Sequence, residues 1–185
     1  MAKTNNGIFV YKNAIKPKLC KHPIKLYKDN RLSPDLLHED YSDGKNVKCK
    51  YLMTTPFKSI DKKLTQVMCD VLDRSMKDYT FNGKTFLHCS GDSGYQLREV
   101  YGATRLHADQ VVDTSNPGRS RAISIVIALN SDYKGGIFKF PLQNYKVKLK
   151  QGEAVVFPAA HTHPHEVSAP KKGTLRYTIN TWLFV

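Results

Sequence analysis

Between Leu106 and Val185 the chain concentrates side chains suited to holding a divalent metal ion. The first group is His107-Ala108-Asp109. In an extended strand residues i and i+2 project to one face, so this imidazole and carboxylate can reach one point in space. One more imidazole completes a two-histidine, one-carboxylate face on iron(II), which leaves the opposite positions open for substrate and oxygen. That imidazole is expected from His161-Thr162-His163-Pro164-His165. Its histidines alternate and could share one face, so spacing does not choose among them. A zinc or other metal held by the His-x-His-x-His run alone is the rival arrangement. Arg176, Thr178, Asn180 and Trp182 share a strand face further on. The Arg176 guanidinium is permanently charged and offers a planar fork for a carboxylate, and Thr178 can add a hydroxyl to the same group. His22, His38 and His88 stand alone and are read as structural or exposed.

The elements that must position these residues follow from hydrophobic period. Residues 7–12 read as an opening strand, and 17–28 have helical apolar spacing that Pro23 interrupts. Residues 29–56 mix Asn, Asp, Gly, Ser and Pro with charges and are expected to be irregular, as loops over a site often are. A helix is predicted over 59–79, where Ile60, Leu64, Val67, Met68, Val71, Leu72 and Met76 form one apolar stripe for packing on a sheet. Strands are predicted over 95–101, 104–110, 121–129, 137–140, 146–150, 153–157, 165–168 and 175–185, with a loop over 111–120 marked by Asn116-Pro117-Gly118. The run over 121–129 is apolar on both faces, as a strand inside two packed layers should be. Many short strands at regular turn spacing argue a jelly roll or double-stranded β-helix, cupin-like, braced by N-terminal helices.

In that order of parts the chain resembles a known family. His107-x-Asp109, the run ending Leu129-Asn130, Gly135-Gly136-Ile137-Phe138, Gly152-Glu153-Ala154-Val155-Val156-Phe157, Pro164-His165-Glu166-Val167 and Arg176-Tyr177 resemble the 2-oxoglutarate/iron(II) dioxygenases. The resemblance is to their prolyl 4-hydroxylase-like branch, which includes the hypoxia-factor prolyl hydroxylases. The N-terminal half matches only loosely, through Phe9-Val10-Tyr11 to Cys20. The resemblance implies His107, Asp109 and His165 as iron ligands, with His163 second to His165. It implies Arg176 on the C5 carboxylate of 2-oxoglutarate with Thr178 beside it. It also implies an upstream tyrosine on the cosubstrate, for which Tyr101 is the candidate although it stands closer to His107 than in the family. The position that often supplies a second tyrosine is Ala128, and one extra residue separates Pro164-His165-Glu166-Val167 from Arg176. Fe(II), 2-oxoglutarate and dioxygen would be required, with ascorbate as reductant, and the products would be hydroxylated substrate, succinate and carbon dioxide.

At 185 residues the chain is expected to be a single domain, with 1–90 as helical support and loops and 91–185 as the β-helix core. No apolar run is long enough for a membrane span, and Met1 to Asn6 lacks a signal peptide's apolar core, so a cytoplasmic location is expected. Cys20, Cys49, Cys69 and Cys89 lack metal-type spacing and are read as reduced, mostly buried thiols. The net charge of +13 is split between 1–60, with twelve Lys/Arg against five Asp/Glu, and 120–185, with nine against three. A basic balance favours acidic partners. The lysines are nevertheless scattered and lack the interleaved aromatics of a nucleic-acid stacking platform, so a solubilising surface is the preferred account. The expected substrate is a prolyl residue in a peptide or protein. The alternatives are demethylation of nucleic-acid bases and a non-catalytic metal-binding jelly roll with an acidic partner.

Overall fold

The computed structural model describes residues 3–41, 45–82, 84–85, 89–111 and 118–185. The chain enters through strands β1 (Lys3–Asn5) and β2 (Ile8–Tyr11), followed by helix α1 (Pro17–Asn30). Strands β3 (Leu37–Tyr41) and β4 (Val47–Met53) form a hairpin before helix α2 (Lys58–Asp78). Three two-residue strands come next: β5 (Thr80–Phe81), β6 (Lys84–Thr85) and β7 (Gly91–Asp92). The remaining strands are β8 (Gln96–Val100), β9 (Thr104–His107), β10 (Arg121–Ala128) and β11 (Phe138–Phe140). They are followed by β12 (Tyr145–Val147), β13 (Ala154–Pro158), β14 (His165–Val167) and β15 (Arg176–Phe184).

Among the described residues the strands make a major sheet in the order β1-β2-β13-β10-β15-β8-β4-β3, with β7 beside β15, and a minor sheet in the order β12-β11-β14-β9. The two face each other as a double-stranded β-helix. Period-2 alternation along the central strands divides the major sheet into two faces. Ile123, Ile125, Ile127 and Leu129 join the core that contains Cys20 and Tyr27 of α1 and Leu64, Met68 and Val71 of α2. Val126 and Ala128, on the other face, pack with Phe138, Phe140, Phe157 and Val167 between the sheets. The predicted stripe of α2 thus faces the sheet. α1 continues through Pro23, because Cys20, Pro23 and Tyr27 are its buried positions and their packing outweighs the lost backbone bond. No helix among the described residues is long and apolar enough to cross a membrane.

Two expectations need correction. Residues 29–56 are not irregular throughout, since β3 and β4 extend the major sheet beyond β8. The alternation Val47-Lys48-Cys49-Lys50-Tyr51 is itself a period-2 strand signal, and the Asn, Asp, Gly, Ser and Pro on either side of it led to the irregular reading. The first ninety residues therefore supply sheet as well as helices and loops. β1 and β2 lengthen the other end around an Asn6-Gly7 turn, both residues having positive φ (47° and 85°). Asn-Gly is the favoured pair for such a tight hairpin. All four cysteines are free; Cys20 and Cys49 are buried, whereas Cys69 is exposed. Most of the predicted loop over 111–120 falls on residues 112–117, and it lies with His88 outside the described residues.

The central position of β10 has a measurable consequence. Ile127 is fully buried against the helices, and Ile127→Ala should destabilise the protein by about 2–5 kcal/mol in urea unfolding. Leu142→Ala, at a side chain that is largely exposed, should stay within about 0.5 kcal/mol.

Candidate metal centre

His107 is the last residue of β9, and His165 the first of β14; the two strands pair with His165 directly opposite His107. Side chains of directly opposed residues lie on one face of a sheet, and the two imidazole centroids are 4.5 Å apart. Phe140 and Phe157 close around His165 at 5.5 and 4.7 Å. Asp109 lies just past the end of β9, so the predicted strand over 104–110 is shorter than expected. Asp109 still turns back to the same point, with Oδ1 3.0 Å from His107 Nε2 and Oδ2 3.8 Å from His165 Nε2. One donor atom from each of the three residues lies within 4.8 Å of the others.

The surrounding hydrogen bonds fix which atoms face inward. His107 Nδ1 donates to the Arg105 carbonyl at 2.8 Å, and His165 Nδ1 donates to the His163 carbonyl at 3.3 Å. Both histidines therefore offer Nε2 to the centre, each oriented by a backbone carbonyl. Burial alone would raise the Asp109 carboxyl. Bonds from His107, Ser124 (2.6 Å) and Trp182, together with the nearby His165 imidazole, hold it well below the usual carboxylate range. The His107 imidazole is pushed up chiefly by its bond to Asp109, while burial pushes His165 down. A nitrogen lone pair facing a carboxylate needs positive charge between them. A proton can supply it, and a divalent ion could supply it to all three groups at once. This N, O, N donor set suits iron(II).

The cavity beside this cluster is also lined by Arg176 and Thr178 of β15 and Arg98 of β8. Arg176 is only 5% exposed, its Nε has no hydrogen-bond partner, and no carboxylate among the described residues pairs with it. Burial pushes its guanidinium pKa down. A buried cation without a counter-ion is costly, so this end of the cavity is built for an anion. Gly136 makes room for it, since a Cβ there would lie 2.9 Å from Arg176 Cδ and 2.6 Å from the Tyr133 ring.

The structure brings His107, Asp109, His165, Arg176 and Thr178 to one cavity. Thr178 already donates its hydroxyl to Asn180 Oδ1 at 2.7 Å, so it faces the cavity as an acceptor. Tyr101 is elsewhere. Its hydroxyl bonds Glu99 Oε1 at 2.8 Å, on the side of Tyr177 and away from the cavity. The reason is parity: Arg98 and Val100 line the cavity, whereas Leu97 joins the helix-side core and Glu99 bonds Tyr177. His163 is buried in another role, with Nε2 2.8 Å from the Asn6 carbonyl, and fastens the β1–β2 turn. His161 is exposed. No local pattern marks Ser124 and Trp182 as carboxylate partners, because their place depends on the register between β10 and β15, where they pair.

Residues 95–184 match the family model of the 2OG-Fe(II) oxygenase superfamily. Among solved structures the chain is similar to a viral collagen prolyl hydroxylase from Paramecium Bursaria Chlorella virus-1, in complex with 2OG. There the TM-score is 0.70 at 16% identity, over 97% of each chain. It is similar to a prolyl hydroxylase from Trichoplax adhaerens bound to a hypoxia inducible factor peptide fragment, with TM-score 0.66 at 15% identity over 97% of this chain and 84% of that one. A Pseudomonas putida prolyl-4-hydroxylase gives 0.65 at 18% identity over 96% and 91%. Among curated proteins none matches in sequence. At these identities the structural likeness establishes the double-stranded β-helix.

The assignment of histidines can be checked with manganese(II) or anaerobic iron(II). Asp109→Ala and His165→Ala should abolish metal binding measured by calorimetric titration, and His161→Ala should leave it unchanged. His163→Ala should also bind metal but lose about 0.5–1.5 kcal/mol of stability, because it removes the hydrogen bond to the carbonyl of the exposed Asn6. Metal loss in His163→Ala with retention in His165→Ala would reverse the assignment.

Proposed function

We propose that this chain is a 2-oxoglutarate/iron(II)-dependent oxygenase of the prolyl 4-hydroxylase-like type, and that it hydroxylates a prolyl residue in a peptide or protein. The observation that carries the oxygenase chemistry is the shared cavity: His107, Asp109 and His165 line one part of it and the unpaired Arg176 another. A purely structural metal site has no use for a buried guanidinium aimed at a second anion. That weighs against the non-catalytic jelly roll.

His107, Asp109 and His165 would hold iron(II), and Arg176 would receive the distal carboxylate of 2-oxoglutarate in a charge-assisted pair. When bound, iron and 2-oxoglutarate would supply the oxidising chemistry, in which 2-oxoglutarate and dioxygen give succinate and carbon dioxide, one oxygen atom entering succinate and the other a substrate C–H bond. The chain's own part is positional. Ser124 and Trp182 keep Asp109 ionised and aimed. The Arg105 and His163 carbonyls keep both Nε2 lone pairs inward. Val126, Phe138 and Val167 line the cavity with apolar surface that excludes water. The mouth is an open groove bordered by Tyr51, Arg121 and Trp182, with the Arg121 guanidinium 4.0 Å from the centre of the Trp182 ring. An aromatic wall backed by a cation suits an extended peptide carrying a pyrrolidine ring. The three prolyl hydroxylases similar in fold support the same substrate class.

The test is to add dioxygen and ascorbate to the anaerobic iron(II) protein with 2-oxoglutarate and a panel of proline-containing peptides, then measure succinate and a 16-dalton gain on peptide. Coupled turnover with alkylated oligonucleotides and none with peptides would replace prolyl hydroxylation by base demethylation. Within the same assay Arg176→Ala should retain metal but raise the 2-oxoglutarate requirement by roughly thirty- to several-thousand-fold, as for loss of a buried charged pair. Arg176→Lys should recover only part, since an ammonium lacks the two-pronged geometry.

A further inference from the structure

The cosubstrate cavity contains a second arginine that the family pattern did not point to. Arg98 on β8 pairs in register with Thr178 on β15, so it projects to the face that carries Arg176 and Thr178. Its side chain is 15% exposed and, like Arg176, it has a buried Nε with no hydrogen-bond partner. One terminal nitrogen is held by Asp40 of β3 at 2.6 Å, and Lys48 of β4 reaches the same carboxylate oxygen at 3.1 Å. One carboxylate is thus shared between two cations, and part of their charge is left for the cavity. The lining carries Lys48, Arg98 and Arg176 against the single carboxylate of Asp109. Arg98 is also near enough to Arg176 for its charge to add to the effect of burial in pushing the Arg176 guanidinium down. A divalent ion would add further positive charge. Walls of this kind are matched by a dianion with charge at both ends.

Arg98 differs from Arg176 in place. It also borders the mouth, together with His107, Asp109, Arg121 and Trp182, whereas Arg176 does not. It therefore stands between the metal cluster and the deep arginine, level with the near end of an extended cosubstrate. Resting on the oxygenase reading above, we propose that Arg98 binds the carboxylate next to the oxo group of the 2-oxo acid. Arg176 takes the far carboxylate, and Asp40 is the positioning residue that turns the Arg98 fork toward the cavity. The β3–β4 hairpin is then part of the cosubstrate site, and the enzyme grips a 2-oxo dicarboxylate at both ends.

Two acids separate the two arginines. 2-Oxoglutarate has both carboxylates, and 2-oxobutanoate keeps the oxo-carboxylate but lacks the distal one. Each is titrated into manganese(II)-loaded protein, following heat release and the shift in thermal midpoint. Arg98→Met should weaken both acids by the same factor, roughly ten- to a hundredfold for one charge-assisted bond. Arg176→Met should weaken 2-oxoglutarate alone. Asp40→Asn should weaken both acids by a smaller factor than Arg98→Met, as expected when an orienting group is lost. Arg98→Lys keeps the Asp40 ion pair, so it covers the case in which Arg98→Met fails to fold, and it should show partial loss for both acids. If loss of the Arg98 guanidinium weakens only 2-oxoglutarate, or weakens neither acid, the proposal is wrong. If neither acid binds metal-loaded wild type, the oxygenase reading itself fails, which is a separate result.

Discussion

The pairing of β9 with β14 is the constraint on which the site depends. His165 stands opposite His107 in that antiparallel ladder, and a slip of one residue would turn every side chain of a strand to its other face. The pairing gives two imidazoles on one face, and the last member comes from the chain just after β9. Asp109 leaves the minor sheet and meets Ser124 and Trp182 of the major sheet. The cluster is therefore a bridge between sheets. Packing of Phe140 and Phe157 against His165 makes the bridge part of the inter-sheet core as well as a polar site. Its geometry cannot shift without disturbing both layers, which is how a site comes to be held by rigid elements.

The two faces of the major sheet separate stability from chemistry. Along β15, Tyr177, Ile179 and Leu183 belong to the core on the helix side. The alternating residues Arg176, Thr178, Asn180 and Trp182 line the cavity. β10 repeats the arrangement, with three isoleucines toward the helices and Ser124 toward the metal cluster. Burying an arginine or a serine between sheets carries a desolvation cost. The continuous apolar face beneath α1 and α2 offsets that cost from the same strands. This accounts for the uninterrupted apolar look of β10, since a strand covered on both sides shows little polar alternation.

What was legible in the sequence was what depends on local period or on a short motif. The α2 stripe, the two-sided β10 run and His107-x-Asp109 all belong to that class. What was not legible depends on parity or on distant register. Tyr101 illustrates the first: along β8, Arg98 and Val100 face the cavity while Leu97 and Glu99 face away, and an aromatic next to them in sequence gives no hint of the side it takes. His163 and His165 show the same limit, because β14 begins only at His165 and the turn before it breaks the alternation. The β3–β4 hairpin was obscured by the turn-forming residues around it, and with it the partners of Arg98. The Asn6-Gly7 turn carries a signal in the dipeptide that the reading of 7–12 as an opening strand passed over.

Charge explains why these hidden elements matter. Without a ligand, Arg176 is buried with an unpaired nitrogen, and Arg98 and Lys48 share one partly exposed carboxylate. Leaving like charges close together in a cavity walled by apolar side chains is unfavourable, because low polarity weakens screening. The folded chain can carry this only if the rest of the fold over-determines it, as strained functional sites generally require. Here β15 is hydrogen-bonded between β10 and β8, and Gly136 leaves space where any side chain would collide with Arg176. An incoming dianion removes the repulsion and completes the missing hydrogen bonds in one step. Its binding energy then comes largely from relief of a conflict already present in the protein, so selectivity for two negative charges follows from the charges that line the site. A neutral or singly charged acid would relieve only part of that conflict, whatever its shape.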